Sequence, residues 1–315
     1  MARILISEKI DPVCPRLFEE AGFEVDWRQN LAPEELPGLI GQYEGLVVRS
    51  ATKVTAEVLA RASRLKVVGR AGAGVDTIDV EAATRAGVLV MNTPGQNANA
   101  VAELVFGLMF ALTRHIIAGC QSLKAGRWEK NRLSGTELLG KSLGLVGFGA
   151  IGRRVGLMAQ GIGMNVLAYD PLLTENQIRA AGAKPLKLDE LLTQSDFLSL
   201  HLPKTPATSN MIDREALGRM KPGAFLINCA RGGLVNEVDL AEALKSGHLA
   251  GAALDVFDRE PPAPDNPLLA LDNFICTPHL GASTAESQVN VAVAVARQMI
   301  AFFQNGSLEG AVNRP

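Results

Sequence analysis

Cysteine is scarce in this chain of 315 residues. There are four, Cys14, Cys120, Cys229 and Cys276, with no CxxC spacing and no histidine cluster beside them. That argues against a disulfide scaffold and a thiolate metal centre, and it suits reduced thiols in a cytoplasm. No metal site is expected. Surplus charge is missing too: the net charge is −2, which gives no electrostatic case for nucleic acid or an anionic membrane as partner. Long apolar runs are absent. The longest, Leu104 to Leu112, lies between Glu103 and Arg114 and is too short to span a bilayer. The opening Met1-Ala2-Arg3-Ile4-Leu5-Ile6 runs into an alternating strand without a signal-peptide cleavage pattern. The expectation is a cytoplasmic protein in which any anionic substrate must be captured by local arginines.

What is present is ordinary globular material, 47% hydrophobic and 20% charged, in a chain longer than one core usually holds. Two domains are expected. Strand-like pieces at Arg3–Ser7, Glu24–Asp26, Leu46–Val48, Lys66–Gly69 and Val88–Met91 alternate with helical stretches near Val13–Ala21, Ala56–Ala62 and Val80–Ala86. Such alternation implies a doubly wound parallel sheet. Asn99 to Gly119 is the longest helical pattern and suits a connecting helix. Lys124–Gly140 is irregular and holds Trp128, one of two tryptophans. A loop reaching to another subunit fits it, and a wrapped surface loop fits equally. Alternation resumes from Lys141, with strands at Leu143–Val146, Val166–Tyr169, Phe197–Leu200, Phe225–Asn228, Ala250–Val256 and Phe274–Thr277. Asn236 can cap the helix after Asn228, with Asp239 three residues on in a box-like arrangement. The tail, Ser283 to Phe303, reads as one helix returning to complete the first domain.

The chain is organised around Leu143–Asp170. An apolar strand is followed by Gly147-Phe148-Gly149-Ala150-Ile151-Gly152, then a helix, then a second apolar strand ending in Asp170, 18 residues after Gly152. This is GxGxxG in the context that gives it meaning. Gly147 serves the tight turn, Gly149 lets backbone amides approach a pyrophosphate, and Gly152 lets helix and strand pack closely. The helix N-terminus offers N–H groups and partial positive charge to that anion. Asp170 would accept bonds from a ribose 2′-hydroxyl and repel a 2′-phosphate. The cofactor expected is NAD.

Ligands of doubly wound sheets sit at the carboxyl ends of the strands. Three such ends carry Asn228-Cys229-Ala230-Arg231, Asp255 to Pro262 with Glu260, and Thr277-Pro278-His279. Alcohol–ketone interconversion needs these types. Imidazole titrates near neutrality and can carry the proton, a carboxylate can hold the ring, and an arginine can grip a carboxylate in bidentate fashion. The remaining histidines, His115, His201 and His248, read as structural, with His201 near the expected adenine edge.

These residues resemble the D-isomer-specific 2-hydroxyacid dehydrogenases over nearly the whole chain. The motifs are Val47–Leu59, Val67–Pro94, Gly135–Arg153, Ile227–Glu237, Gly251–Pro262 and Thr277–Ser287. The resemblance implies that Arg231 orients substrate and that Glu260 supports His279 as acid/base. It places Ala150, Ile151, Asp170, Cys229, Ala230, Asp255 and the run from His279 through Gly281 and Ala282 at the cofactor, with Asp255 facing the nicotinamide carboxamide. It implies substrate contacts from Arg49, Ser50, Arg70, Gly72 and Asn97, as in the branch acting on a phosphorylated hydroxyacid. The fold implied is a Rossmann NAD-binding domain, 99–283, inserted into a discontinuous flavodoxin-like substrate domain, 1–98 plus 284–315. Both are doubly wound parallel sheets.

Two positions depart from that branch: Lys130 stands where an arginine is common, and Ala73 where a threonine is. Longer relatives carry a regulatory domain that senses serine. This chain has no room for it, so no such feedback is expected. The runner-up substrates are unphosphorylated, namely hydroxypyruvate, glyoxylate or a broader set of 2-hydroxyacids. An NAD-sensing binding protein is the alternative from another class, and nothing basic in the chain supports it. A homodimer is expected because Asn99–Gly140 adds a long helix and loop. The Glu260–His279 pair implies oxidation that strengthens as pH rises, with the dependence moving to lower pH in Glu260→Gln.

Overall fold

Short apolar runs bounded by turns fold as parallel strands, with helices between them covering both faces. In chain order the first elements are β1 (Arg3–Ile6), α1 (Val13–Glu20), β2 (Glu24–Trp27), α2 (Leu36–Leu39), β3 (Gly45–Val48), α3 (Ala56–Ala60), β4 (Val67–Arg70), α4 (Val80–Arg85) and β5 (Leu89–Asn92). Then come α5 (Ala98–Thr113), α6 (Ile116–Lys124), β6 (Ser142–Val146), α7 (Ala150–Ile162), β7 (Asn165–Tyr169), α8 (Glu175–Ala180) and β8 (Lys184–Pro185). The rest are α9 (Leu188–Gln194), β9 (Phe197–Leu200), α10 (Arg214–Arg219), β10 (Ala224–Asn228), α11 (Glu237–Lys245), β11 (Leu249–Leu254), β12 (Phe274–Cys276) and α12 (Ala285–Asn305). This computed structural model describes residues 2–315. The chain divides into two units, Met1–Asn97 with Ser283–Pro315, and Ala98–Ala282.

The first unit holds a five-stranded parallel sheet in the order β2-β1-β3-β4-β5. The central strand β3 reads as a continuous apolar run because both faces are covered. One face packs Leu46, Val48, Val68 and Val90 against Leu59 and Ala83. On the other, Val291, Ala292, Val295, Ala296 and Met299 of α12 meet Ile4, Val47 and Val67. Spacings of three and four put those α12 residues on one helical face, and each large side chain buried contributes about 1.5–3 kcal/mol. Thr284 caps α12 through a bond from Ser287 N, and Gly306 ends it in the left-handed region. At 21 residues α12, not the 99–119 stretch, is the longest helix among the described residues. The tail then does more than supply a helix: Asn92 N donates to Gly310 O and Val312 N to Val90 O, covering the edge of β5.

The second unit holds a seven-stranded parallel sheet, β12-β11-β10-β9-β6-β7-β8. Phe197 of β9 pairs with both Leu143 and Phe225, and its ring stacks on that of Phe225 at 5.0 Å. The strand order reverses between β6 and β9, which puts the end of β6 at the topological switch point.

The expected single helix over 99–119 is two helices, α5 and α6, meeting at 61°. His115 stands between them with φ 50. The cause lies downstream: Thr136 N donates to Thr113 O, and Ser134 O is 3.1 Å from His115 Nε2. The returning loop takes the Thr113 carbonyl that a continuing helix would use. No single helix among the described residues is long and apolar enough to cross a membrane. α5 is apolar because ten of its sixteen residues are buried in protein.

Candidate active site

The turn after β6 is built by two glycines. Gly147 has φ 93, its N–H donates to Tyr169 O at 2.7 Å, and a Cβ there would lie 2.7 Å from His201 O. A Cβ on Gly152 would run into the Gly147 carbonyl oxygen. The close approach that Gly152 permits is therefore between the first turn of α7 and the loop itself, rather than between helix and strand. Gly149 caps α7 with no side chain, and a Cβ there would meet nothing within 4 Å. Gly149 and Ala150 are exposed, so the amino end of α7 stands open in front of its N–H groups.

Asp170 does more than was read from its spacing. Its Oδ2 accepts from Phe148 N at 2.8 Å and its Oδ1 from Leu172 N at 2.9 Å, so the carboxylate clamps the glycine turn. Each oxygen keeps a lone pair for a further donor. His201 lies against this same turn. Its N–H donates to Val146 O, Ser199 Oγ is 3.0 Å from Nε2, and Nδ1 is buried with no partner among the described residues. Burial pushes the ring down to about 3, so it stays neutral.

The other end of the site lies on β10, β11 and β12, which are neighbours in the sheet. Asn228, 1% exposed, folds the β10 turn: its Nδ2 donates to Arg231 O and its Oδ1 accepts from Ala230 N. Arg231 Nη1 donates to Ala230 O at 2.7 Å. Cys229 is buried, which raises its thiol, with Asp255 adding to the effect. Burial of this kind disfavours the thiolate.

Asp255 at the end of β11 is 1% exposed and accepts three bonds, from Thr277 Oγ1 and Leu280 N at 2.6 Å and Gly281 N at 2.8 Å. It anchors the loop that carries His279, whose own N–H donates to Asp255 O. That anchoring holds His279 at φ 55, in the left-handed region non-glycine residues rarely occupy. His279 Nδ1 and Glu260 Oε2 are 2.8 Å apart, and Glu260 Oε1 accepts from Phe257 N. A carboxylate on Nδ1 makes that nitrogen the donor and leaves Nε2 to exchange a proton. Gly281 is buried and Ala282 half-buried beside them.

In the first unit, Arg49 and Ser50 follow β3. Glu8 holds that loop, its carboxylate accepting from the backbone of Arg49, Ala51 and Thr52 at 2.8–3.1 Å. Arg49 Nη1 donates to Lys9 O. Arg70 ends β4, and Gly72, at φ 144, passes so close that a Cβ would overlap the Arg70 guanidinium. Asn97 Oδ1 is buried with no partner among the described residues. Such an atom is an acceptor left for a ligand, or a donor if the amide is turned over. No group of three metal-ligating side chains occurs among the described residues.

Residues 106–281 match the family described as D-isomer specific 2-hydroxyacid dehydrogenase, NAD binding domain. The chain belongs to the D-isomer specific 2-hydroxyacid dehydrogenases. It is 45% identical over 313 residues to D-3-phosphoglycerate dehydrogenase of Homo sapiens, covering 99% of this chain and 58% of that protein. The chain thus spans under two thirds of such relatives. Two solved structures match almost end to end. NAD+-bound 3-phosphoglycerate dehydrogenase of Entamoeba histolytica has a TM-score of 0.84 and 32% identity, covering 99% of both chains. A glyoxylate reductase from Paecilomyes thermophila has a TM-score of 0.91 and 29% identity, covering 99% of this chain and 98% of that one.

Three side chains that pattern reading did not single out order the loops around these residues. Thr277 ties its hydroxyl to Asp255, and Glu8 organises the Arg49 loop. Glu237, in the first turn of α11, bonds to Asp258 N and Asn266 Nδ2. An acidic residue at a helix start reads as a dipole partner, and nothing local signals its reach. Asn236 caps α11 as expected, but the box does not close, because Asp239 Oδ2 turns to Arg214 N.

Proposed function

We propose that the chain oxidises D-3-phosphoglycerate to 3-phosphohydroxypyruvate with NAD as the oxidant. The observation that carries the chemistry is the 2.8 Å Glu260–His279 pair, presented on strand ends beside Arg231. The open amino end of α7 and the carboxylate of Asp170 fit a dinucleotide, with Gly147, Gly149 and Gly152 shaping the pyrophosphate turn. When bound, NAD supplies the acceptor for the hydride from C2 of the substrate. His279 Nε2 takes the proton from the C2 hydroxyl as general base. Glu260 holds the ring by Nδ1 and balances the imidazolium that forms. Arg231 binds the substrate carboxylate and draws charge from the carbonyl oxygen as it develops.

The phosphorylated substrate carries roughly two to three negative charges near neutral pH. One arginine answers the carboxylate, and the phosphate needs donors of its own. Arg49, Ser50, Arg70, Gly72 and Asn97 of the first unit supply them in this reading, which makes that unit the substrate domain. The chain acts as a homodimer through the α5–α6 region, where Phe110, Ile116, Ile117 and Leu123 are exposed and Trp128 is 81% exposed. Sedimentation at twice 33.4 kDa supports this, and sedimentation at 33.4 kDa contradicts it.

Steady-state kinetics test the substrate. The expected result is a kcat/KM at least about 100-fold higher for D-3-phosphoglycerate than for D-glycerate, worth about 2.7 kcal/mol of phosphate contacts. Equal values overturn it and favour the second reading, a glyoxylate or hydroxypyruvate reductase, to which the similarity to a glyoxylate reductase structure also points.

A further inference from the structure

We infer that Glu237 is a positioning residue for the acid/base pair, pinning the loop that holds Glu260 against His279. This rests on the reaction assigned above. Glu237 opens α11, six residues after Arg231. Its Oε1 accepts from Asp258 N at 2.8 Å and its Oε2 from the Asn266 side-chain amide at 2.6 Å. One carboxylate therefore closes the segment 258–266 at both ends, and Glu260 lies inside that segment. Asn266 is fixed in turn, its Oδ1 accepting from Leu268 N.

The remaining contacts of Glu260 are local to its own loop or are the pair itself. Its Oε1 takes the N–H of Phe257 and its Oε2 meets His279. Phe257 is buried in the core of the sheet domain, and Lys204 Nζ pairs with Asp258 Oδ1 at 2.6 Å. Of these anchors Glu237 is the one that reaches both ends of the segment, and through α11 it couples the Arg231 turn to the Glu260 loop. His279 is anchored from a different direction, by Asp255. The imidazole and its carboxylate thus stand on separately held loops, and their 2.8 Å separation depends on both anchors. A misplacement of about 1 Å in such a pair can cost on the order of 100-fold in rate.

The test is Glu237→Gln in the full chain. Glutamine keeps one acceptor oxygen and loses the other, so one end of the segment is released while the fold is retained. Two readouts are taken. The first is the kcat and KM split: kcat falls about tenfold, with KM for NAD within twofold of wild type. The second is the ¹⁵N shifts of the His279 ring, which report the tautomer without any turnover. Wild type shows Nδ1 protonated, and Glu237→Gln shows a mixture of tautomers. A fall in kcat with an unchanged tautomer, or an unchanged kcat, overturns the proposal. Glu237→Asp, which is one methylene short of both donors, repeats the test should the glutamine variant fail to fold. If wild type oxidises no D-2-hydroxyacid, the reaction assignment fails, and the tautomer readout still decides the positioning role.

Discussion

The two sheets treat their carboxyl ends differently. On the seven-stranded sheet, both carboxylate oxygens are bonded in each of Asp255, which holds the loop of His279, Glu260, which holds Phe257 N and His279, and Glu237, which holds Asp258 N and Asn266. On the five-stranded sheet, Glu8 ties down the backbone of the Arg49 loop, while the Arg49 side chain donates to a carbonyl of Lys9. Groups proposed to move a proton are held to a fixed separation, and groups proposed to choose the substrate have a fixed backbone and a longer-reaching side chain. A proton transfer is sensitive to fractions of an ångström, whereas a phosphate can be met by a flexible cation.

The largest effect that could break this comparison comes from His279. In His279→Asn, kcat should fall about 100- to 10,000-fold for every substrate, phosphorylated or not. A substrate-selective loss, measured by the same steady-state assay, would move the reacting group elsewhere.

A smaller effect separates His201 from His279. His201 is neutral in the folded chain down to about pH 3, because burial opposes its charge. The unfolded chain takes that proton near pH 6.5. Between those values the unfolded state binds more protons, so stability falls as pH falls, by at most about 1.4 kcal/mol per pH unit. Urea unfolding at pH 7 and pH 5 should show wild type losing about 1–2 kcal/mol more than His201→Gln. Equal losses would mean that the ring under the glycine turn is not the buried neutral group described.

Much of this was legible in the residues. Phe197–Leu200 is a strand with the expected bounds, because four buried positions in a row leave little choice for a strand covered on both faces. The glycine turn and the Glu260–His279 contact follow from motifs whose spacing is local to strand ends. The break at His115 was not legible, because its cause is a loop arriving from Ser134 and Thr136. The same holds for residues 310–312 on the edge of β5, and for Glu237, whose partners lie 21 and 29 residues further on. Asp255 was placed at the cofactor by resemblance, yet only the folded chain shows it anchoring the loop of His279. Local pattern carries the elements, and long-range hydrogen bonds carry the alignment of the site.

The central claim is that reaction and substrate choice are held on different sheets. It is tested most directly by kcat/KM for D-3-phosphoglycerate and D-glycerate in wild type and in Arg70→Ala. The account predicts a loss of roughly 10- to 100-fold for the phosphorylated substrate alone, the size of one or two charge-assisted bonds. An equal loss for both substrates would contradict it.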